Sequence, residues 1–270
     1  MASQLVLFSD LDGTLLDHES YSFDAARPAL DRLRREDVPL VLCSSKTRAE
    51  IEALRTAMHN THPFISENGG AVFIPEGYFP FAIENAEPRD GYLVVSIGDR
   101  YDSLLVALAD ASRASGVPTR GFAAMTDEEV MAATGLDLEP ARLARRREFD
   151  EPFEILDPSR ASALLEAIIH RGKRSTSGGR FHHILGASDK GVAVRLLSAL
   201  YRRRFADVTT VGLGDAPNDA SFLVEMDVPV LIDSPRLDRL YALVPRGRVS
   251  RLPGPAGWND AVLSLLDARA

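Results

Sequence analysis

The chain opens with the stretch Leu5-Val6-Leu7-Phe8-Ser9-Asp10-Leu11-Asp12-Gly13-Thr14. Its apolar first half indicates a buried β-strand, and the alternation of side chains along a strand places Asp10 and Asp12 on the same side. Gly13 then permits a sharp turn. Two neighbouring carboxylates repel each other unless a cation lies between them or one is protonated, so the pair favours a hard metal such as Mg²⁺. A polar turn explains the same residues equally well, and other segments must decide between the two.

Composition narrows the class of protein. With 270 residues, 45% of them hydrophobic, the chain is long enough for one large domain or two modest ones. The formal net charge of -8 argues against a nucleic-acid partner, and an anionic substrate would have to be attracted by local groups. The single cysteine, Cys43, excludes an intramolecular disulfide and is expected to be a small buried core residue.

The sequence also bears on location. No apolar stretch approaches the roughly 18 to 20 residues of a membrane span, so no membrane partner is expected. The first predicted strand begins within five residues of Met1, which leaves no room for a signal peptide, and a cytoplasmic protein is the expectation. Either a monomer or a homodimer is compatible with the sequence.

Helical and strand patterns alternate along the chain, which predicts an α/β fold with a largely parallel sheet. The predicted strands outside the middle of the chain are 5–8, 38–43, 64–66, 208–211 and, as the last one, 228–232. The predicted helices there are 24–35, one that begins at the capping box 47–50, 190–201 and the closing helix 258–266.

The pattern changes between Pro88 and Gly91. From there the sequence predicts a strand at 92–97, a helix at 103–115, a strand at 153–156, a helix at 159–171 and one or two strands over 173–185. This is an α+β unit within the parallel pattern. The predicted domains are therefore a core made of residues 1–87 and 187–270, with an inserted cap at 88–186.

Chemically active residues follow the predicted strands of the core. Asp10, Asp12, Ser44 and Asp215 come just after strand ends, and Lys190 begins a helix beside the same edge. In a parallel sheet the loops at the carboxyl ends of the strands build the ligand site. We therefore expect these five side chains to lie together.

Their types fit phosphoryl transfer, which depends on positioning and on stabilising negative charge. Asp10 would attack phosphorus and form an aspartyl phosphate, and Asp12 would act as general acid and then as general base. The Asp10 side chain, the Asp12 backbone carbonyl and Asp215 would hold Mg²⁺. Ser44 would hold a phosphate oxygen, and Lys190 would neutralise the phosphate and the nucleophile.

The ordered motifs Asp10-Leu11-Asp12-Gly13-Thr14-Leu15, Ser44, Lys190 and Gly214-Asp215-Ala216-Pro217-Asn218-Asp219 resemble those of the haloacid dehalogenase superfamily of phosphatases. The resemblance covers nearly the whole chain. It implies a Rossmann-like core, a C2-type cap and hydrolysis of a phosphoric monoester. Serine at position 44 departs from the more common threonine and keeps the hydroxyl.

Four further segments resemble, within that superfamily, the mannosyl-3-phosphoglycerate phosphatases, which release mannosylglycerate, a compatible solute. They are Ser45-Lys46-Thr47-Arg48, Glu67-Asn68-Gly69-Gly70, Arg147-Glu148-Phe149-Asp150-Glu151-Pro152-Phe153 and Gly178-Gly179-Arg180-Phe181-His182-His183. The resemblance implies a phosphorylated glycoside as the small-molecule partner. The substrate-binding residues that it implies are Ser45, Lys46, Glu67, Asn68, Gly69, Arg147, Arg180 and His183.

Several assignments keep an alternative. Arg180 could bind the glycerate carboxylate or pair with Glu148 or Asp150, and Lys46 could cap a helix instead of facing phosphate. Strand alternation points the two histidines 182 and 183 in opposite directions, and the family pattern favours the second.

The supporting residues and the overall activity have alternatives as well. Asn218 and Asp219 are expected behind the metal ligands, with Asp219 orienting Lys190 or a metal-bound water. The other activities compatible with the sequence are hydrolysis of glucosyl-3-phosphoglycerate, sucrose phosphate or a hexose phosphate, and phosphate transfer to a sugar hydroxyl, as in a mutase. A non-catalytic sugar-phosphate-binding regulator is disfavoured, because a pure binder needs no nucleophile.

Overall fold

The computed structural model describes residues 3–178, 181–187 and 189–269. The strands in these residues are β1 Gln4–Ser9, β2 Leu40–Cys43, β3 Phe64–Ser66, β4 Ala71–Pro75, β5 Glu87–Arg89, β6 Tyr92–Ser96, β7 Thr119–Gly121, β8 Asp150–Ile155, β9 Arg174–Gly178, β10 Phe181–Leu185, β11 Val208–Gly214, β12 Val228–Asp233 and β13 Arg248–Pro253. The α-helices are α1 Arg27–Arg35, α2 Arg48–Ala57, α3 Tyr101–Ser115, α4 Asp127–Thr134, α5 Leu138–Ala144, α6 Ala161–Ile169, α7 Lys190–Arg204, α8 Ala220–Leu223, α9 Leu237–Leu243 and α10 Gly254–Asp267. None of these helices is long and apolar enough to cross a membrane.

A nine-stranded sheet forms the centre of the described residues, in the order β13-β12-β11-β1-β2-β3-β4-β6-β5. The six strands from β13 to β3 run parallel, and β4, β6 and β5 continue the sheet antiparallel. The predicted α/β fold with a largely parallel sheet is confirmed. Because β1, β2 and β11 are parallel neighbours, their carboxyl ends lie at one edge.

The first strand is buried on both faces, as its apolar run predicts. Leu5 and Leu7 join a hydrophobic cluster with Trp258 of α10, whereas Val6 and Phe8 join a second cluster on the other face, among residues of α7 and α8. The Trp258 indole Nε1 donates to Ser9 Oγ at 2.9 Å, which ties the closing helix to the strand end just before the aspartates. Cys43 is buried in the second cluster as expected, and burial raises the pKa of its thiol.

A second sheet of four antiparallel strands, in the order β7-β8-β10-β9, lies in the middle of the chain. Helices α3 and α6 pack on it through a cluster that includes Leu104, Phe153 and Ile184. A smaller cluster, which includes Phe122, Val130 and Ala141, joins α4 and α5. The predicted α+β unit within the parallel pattern is therefore present.

Two strand assignments from the sequence are wrong. The strand predicted at 92–97 as the first of the cap is Tyr92–Ser96, which pairs antiparallel with β4 in the large sheet. On its other side it pairs with β5 through a hairpin turn at Asp90 and Gly91, whose φ angles are positive at 50° and 82°. Val228–Asp233 is also not the last strand, since β13 extends the sheet beyond it. Most β13 side chains are exposed, so that strand lacks the apolar pattern that predicts one.

A partly buried histidine, His62, lies away from the carboxyl edge of the parallel strands. His62 Nδ1 is 2.8 Å from the Tyr78 hydroxyl. Burial lowers the pKa of His62 to about 4, with Arg55 and Arg204 contributing in the same direction and Asp37 opposing them.

This shift predicts a pH-dependent stability. An unfolded histidine titrates near pH 6.5, so the unfolded chain binds more protons than the folded one between that pH and about 4. The free energy of unfolding should fall as the pH is lowered through this window, by up to about 3 kcal/mol. Urea denaturation at several pH values measures it, and His62→Gln should flatten the dependence. His170→Gln, at an exposed position, is the matched control and should leave the slope unchanged.

Candidate active site

The predicted residues converge at the carboxyl edge of the parallel strands, around a cavity of about 160 Å³. The predicted residues that line it are Asp10, Asp12, Ser45, Lys46, Arg147, His183, Asp215 and Asn218. Arg147 and His183 come from the inserted unit, whereas the others come from the core. The cavity therefore lies between the two parts of the chain, where a substrate would contact both.

Lys190 lies directly behind this cavity. Its Nζ donates to Asp10 Oδ1 at 2.6 Å and to Asp219 Oδ1 at 2.7 Å, and its side chain is 1% exposed. Burial opposes its charge, but the two carboxylates outweigh burial and raise the pKa of Lys190. The lysine is thus a fixed positive charge beside the predicted nucleophile.

Asp219 supports both Lys190 and the loop after β11. One of its oxygens accepts from Lys190, and the other accepts the backbone N–H groups of Asp215 and Ala216, each at 3.1 Å. Both oxygens are therefore engaged within the protein. Asp219 thus holds the Lys190 ammonium, and its orienting role in the reaction stays a prediction.

The carboxylates of Asp10, Asp215 and Asp219 offer oxygens that lie within 4.8 Å of one another. Burial and the nearby Asp219 raise the pKa of Asp10 well above its ordinary value and that of Asp215 to about 6. Buried carboxylates this close together fit a hard divalent cation, which favours oxygen ligands. Asp10 and Asp215 line the cavity, whereas Asp219 is fully buried outside its lining, so Asp10 and Asp215 are the side chains suited to hold the cation.

Asp12 and Lys46 both line the cavity and pair with each other. Lys46 Nζ lies 2.9 Å from Asp12 Oδ1, 3.8 Å from Glu50 and 4.9 Å from the centre of the Tyr21 ring. Burial opposes the ammonium charge, while Asp12 and Glu50 raise the pKa of Lys46. Helix α2 is capped by Thr47, whose Oγ1 accepts from Glu50 N at 3.1 Å, so Lys46 is not the helix cap.

Ser44 is buried beside the cavity. Its Oγ accepts the Lys46 N–H at 3.3 Å, and its backbone carbonyl accepts from Asn68 N at 3.0 Å. The next residue, Ser45, accepts from Arg147 Nη1 at 2.8 Å through its carbonyl. The loop after β2 is thereby tied to both the core and the inserted unit.

Glu67, Asn68 and Gly69, for which the resemblance implies substrate binding, do not line this cavity and make contacts within the protein. Glu67 is fully buried, and its carboxylate accepts the backbone N–H groups of residues 148, 149 and 150 at 2.8–3.1 Å. Asn68 donates to Asp150 Oδ2 at 2.9 Å. A side chain on Gly69, whose φ is +89°, would lie 2.2 Å from the Asp189 carbonyl. Glu67 and Asn68 therefore hold residues 148–150 of the inserted unit, and Gly69 packs against the chain where it returns to the core.

The inserted unit presents Arg147 and His183 through one buried carboxylate. Asp150 Oδ1 accepts from Arg147 Nη1 at 2.8 Å, and Asp150 Oδ2 lies 3.0 Å from His183 Nδ1. His182 points away and packs against Phe153 at 5.8 Å between ring centres. The two histidines therefore point in opposite directions, as strand alternation predicts, and His183 is the one that lines the cavity.

Arg180 lies outside the described residues. Its alternative partners have other contacts: Glu148 pairs with Arg48 and Arg89, each at 2.9 Å, and Asp150 has the contacts given above.

Sequence reasoning missed Arg236. This side chain lines the cavity, and its Nη2 donates to Asp215 Oδ2 at 3.0 Å. It lies in the loop after β12, another parallel strand whose carboxyl end reaches the same edge. The sequence could have indicated Arg236, because the segment Asp233-Ser234-Pro235-Arg236 follows a predicted strand, as the other loops of the site do.

Comparison with solved structures supports the fold. A protein of Thermoplasma acidophilum aligns over 98% of this chain and 99% of its own, with a TM-score of 0.70 and 16% identity. A sugar phosphatase of haloacid dehalogenase subclass IIB aligns over 98% and 99%, with a TM-score of 0.68 and 14% identity. Both share the whole architecture, including the inserted unit.

Sequence comparison adds the family. Residues 7–82 match the family model of haloacid dehalogenase-like hydrolases. A glucosyl-3-phosphoglycerate/mannosyl-3-phosphoglycerate phosphatase of Methanococcoides burtonii is 42% identical over 97% of both chains. A mannosyl-3-phosphoglycerate phosphatase of Pyrococcus horikoshii is 34% identical over 85% of this chain and 90% of its own. The chain therefore belongs to the haloacid dehalogenase-like hydrolases, among their phosphatases.

Proposed function

We propose that this protein is a Mg²⁺-dependent phosphatase of mannosyl-3-phosphoglycerate, which it converts into mannosylglycerate and phosphate. The observation that carries the proposal is one cavity in which Asp10, Asp12 and Asp215 face Arg147 and His183. The acidic side suits metal-assisted phosphoryl transfer, and the basic side suits a second anionic group such as a glycerate carboxylate. The names of the two relatives described above support this substrate class.

The cation would be held by Asp10, Asp215 and the backbone carbonyl of Asp12. Bound there, Mg²⁺ would supply positive charge to the phosphoryl oxygens. The raised pKa values of the Asp10 and Asp215 carboxyl groups support this assignment, because a cation relieves the repulsion between them.

The protein residues divide the reaction into two displacements. Asp10 attacks phosphorus, the bond from phosphorus to the glycerate oxygen breaks, and Asp12 donates a proton to that oxygen. Asp12 then accepts a proton from water, which attacks the aspartyl phosphate, releases phosphate and restores the Asp10 carboxylate. Lys190, whose Nζ lies 2.6 Å from Asp10 Oδ1, would neutralise charge in both steps. The Lys46 ammonium, 2.9 Å from Asp12, holds that carboxyl group at the cavity wall.

Arg147 would bind the glycerate carboxylate from the opposite side. Its guanidinium is 6% exposed and is held by Asp150 and the Ser45 carbonyl, so the orientation is fixed before substrate arrives. His183 is held by the same Asp150 and would contact the glycoside. This arrangement supports recognition of a substrate with two anionic groups.

The inserted unit would act as a cap over this site. Because the strand Tyr92–Ser96 belongs to the large sheet, we place the cap at residues 99–186 and the core at residues 1–98 and 187–270. Glu67 would hold the cap to the core through residues 148–150, and Gly69 lies against Asp189, where the chain returns from the cap to the core.

A substrate panel tests the proposed function. Phosphate release should be compared across mannosyl-3-phosphoglycerate, glucosyl-3-phosphoglycerate, sucrose phosphate and mannose phosphates. We expect the highest kcat/KM for the mannosyl glycerate ester, since simple hexose phosphates lack the carboxylate. Arg147→Lys should lower this preference by about tenfold, because lysine cannot form the paired hydrogen bonds of a guanidinium. A preference for a simple hexose phosphate would refute the assignment.

A further inference from the structure

Asp215 has a charged partner that the reaction described above does not use. Arg236 Nη2 donates to Asp215 Oδ2 at 3.0 Å, and Thr14 Oγ1 donates to Asp215 Oδ1 at 3.2 Å. The Asp215 side chain is 2% exposed, whereas that of Arg236 is 32% exposed. The guanidinium thus covers the cavity side of a buried carboxylate.

The backbone of Arg236 is fixed relative to Asp215. Ser234 Oγ donates to the Asp215 carbonyl at 2.7 Å and accepts the Arg236 N–H at 3.1 Å. The loop after β12 and the loop after β11 are therefore joined through one hydroxyl. The Arg236 guanidinium can therefore leave Asp215 while the Arg236 backbone stays in place.

The guanidinium also has unused binding capacity. Arginine offers five N–H donors. Among the described residues, the Arg236 guanidinium makes one hydrogen bond, from Nη2 to Asp215. Lys190 differs, because its ammonium is buried between two carboxylates. Of the two cations, Arg236 is the one that can turn toward a ligand in the cavity.

We propose that a divalent cation displaces Arg236 from Asp215, and that the released guanidinium then binds an oxyanion of the substrate. Two positive charges on one carboxylate repel each other, and the repulsion is strong where solvent is scarce. A phosphorylated ester that also has a carboxylate supplies a negatively charged group to which the released Arg236 guanidinium can bind. This inference rests on the proposed function for its cation and for the anionic substrate.

A different role makes the opposite prediction. If Arg236 stayed on Asp215 and held it in place for the cation, removing the guanidinium would weaken cation binding. If the cation displaces Arg236, removing the guanidinium removes a competitor, and cation binding strengthens. The sign of the change separates the two roles.

The first experiment measures Mg²⁺ binding by calorimetry without substrate. We expect Arg236→Gln to bind Mg²⁺ on the order of tenfold more tightly than the unchanged protein, a usual size for coupling between two binding events. Arg195→Gln is the matched control, since Arg195 is 54% exposed and pairs with Glu225 at 2.7 Å. Equal or weaker Mg²⁺ binding by Arg236→Gln would overturn displacement.

The second experiment titrates inorganic phosphate, and separately D-glycerate, into the Mg²⁺-loaded protein. At least one of the two anions should bind Arg236→Gln about tenfold more weakly, because a charged hydrogen-bond donor is lost. Arg236→Lys should recover part of the affinity. A loss for phosphate identifies the phosphoryl group as the ligand, and a loss for glycerate identifies the carboxylate. Unchanged affinity for both anions would overturn the second half of the proposal.

Neither titration depends on which ester the protein hydrolyses. If the substrate panel favoured another phosphate ester and Arg236→Gln still bound Mg²⁺ more tightly, the proposed substrate would be wrong, whereas the displacement of Arg236 would be supported. If the panel gave the expected preference and Arg236→Gln did not strengthen Mg²⁺ binding, only the proposed role of Arg236 would be refuted.

Discussion

Asp10→Asn is expected to lower turnover by about 10⁴- to 10⁶-fold, the loss seen when a catalytic nucleophile is removed. The asparagine amide has nearly the shape of the carboxylate but cannot form the aspartyl phosphate. The site geometry makes this substitution informative, since Asp10 Oδ1 lies 2.6 Å from Lys190 and borders the cavity. Phosphate release under saturating substrate measures the effect.

The folded state should survive this change. Burial and neighbouring carboxylates raise the pKa of Asp10, so removing its charge relieves repulsion, and Lys190 keeps Asp219 as a partner. The thermal midpoint should therefore stay close to that of the unchanged protein. Asp31→Asn, at an exposed position on α1 that pairs with Arg34, is the control and should keep full activity. Retention of more than about 1% of turnover by Asp10→Asn would remove Asp10 as the nucleophile.

Lys190→Met is expected to lower both activity and stability. The methionine keeps most of the volume, but the Asp10 and Asp219 carboxylates lose the ammonium that lies 2.6 and 2.7 Å away. Removing one partner of a buried ion pair costs about 3 to 5 kcal/mol. Chemical denaturation should show this loss, and turnover should fall because the nucleophile and the phosphoryl oxygens lose their fixed cation.

A second substitution separates the two effects. Lys190→Met combined with Asp219→Asn removes one uncompensated charge, so part of the stability should return while turnover stays low. Lys173→Met is the matched control, because Lys173 pairs with the partly exposed Asp99 and such pairs contribute at most about 1 kcal/mol. Stability equal to the unchanged protein in Lys190→Met would show that the buried ion pair does not support the fold.

The local sequence was sufficient to place the core motifs. A strand buried on both faces needs a continuous apolar run, and the residues before Asp10 supply one. Parallel strands bring their following loops to one edge, so the order of strand and polar residue predicted that Asp10, Ser44 and Asp215 would meet. The capping box at Thr47 was equally local and was confirmed.

The boundary of the inserted unit could not be obtained in this way. Tyr92–Ser96 has the same alternating pattern whether it pairs with the core or with a cap, and only its hydrogen bonds to β4 decide the matter. The exposed strand β13 carries little hydrophobic pattern because it lies at the edge of the sheet. Strand pairing depends on partners distant in sequence, which a local pattern does not contain.

The sequence by itself determined the reaction type, since Asp10 and Asp12 follow one strand, Ser44 and Asp215 follow its parallel neighbours, and Lys190 begins a helix between them in a fixed order. The tertiary structure decided what each supporting residue does. Glu67 anchors residues 148–150 and Arg236 covers Asp215, and both contacts join segments far apart in the chain. Residue type gives a carboxylate or a guanidinium its chemistry, but burial and distance decide whether it faces a substrate or another residue of the protein.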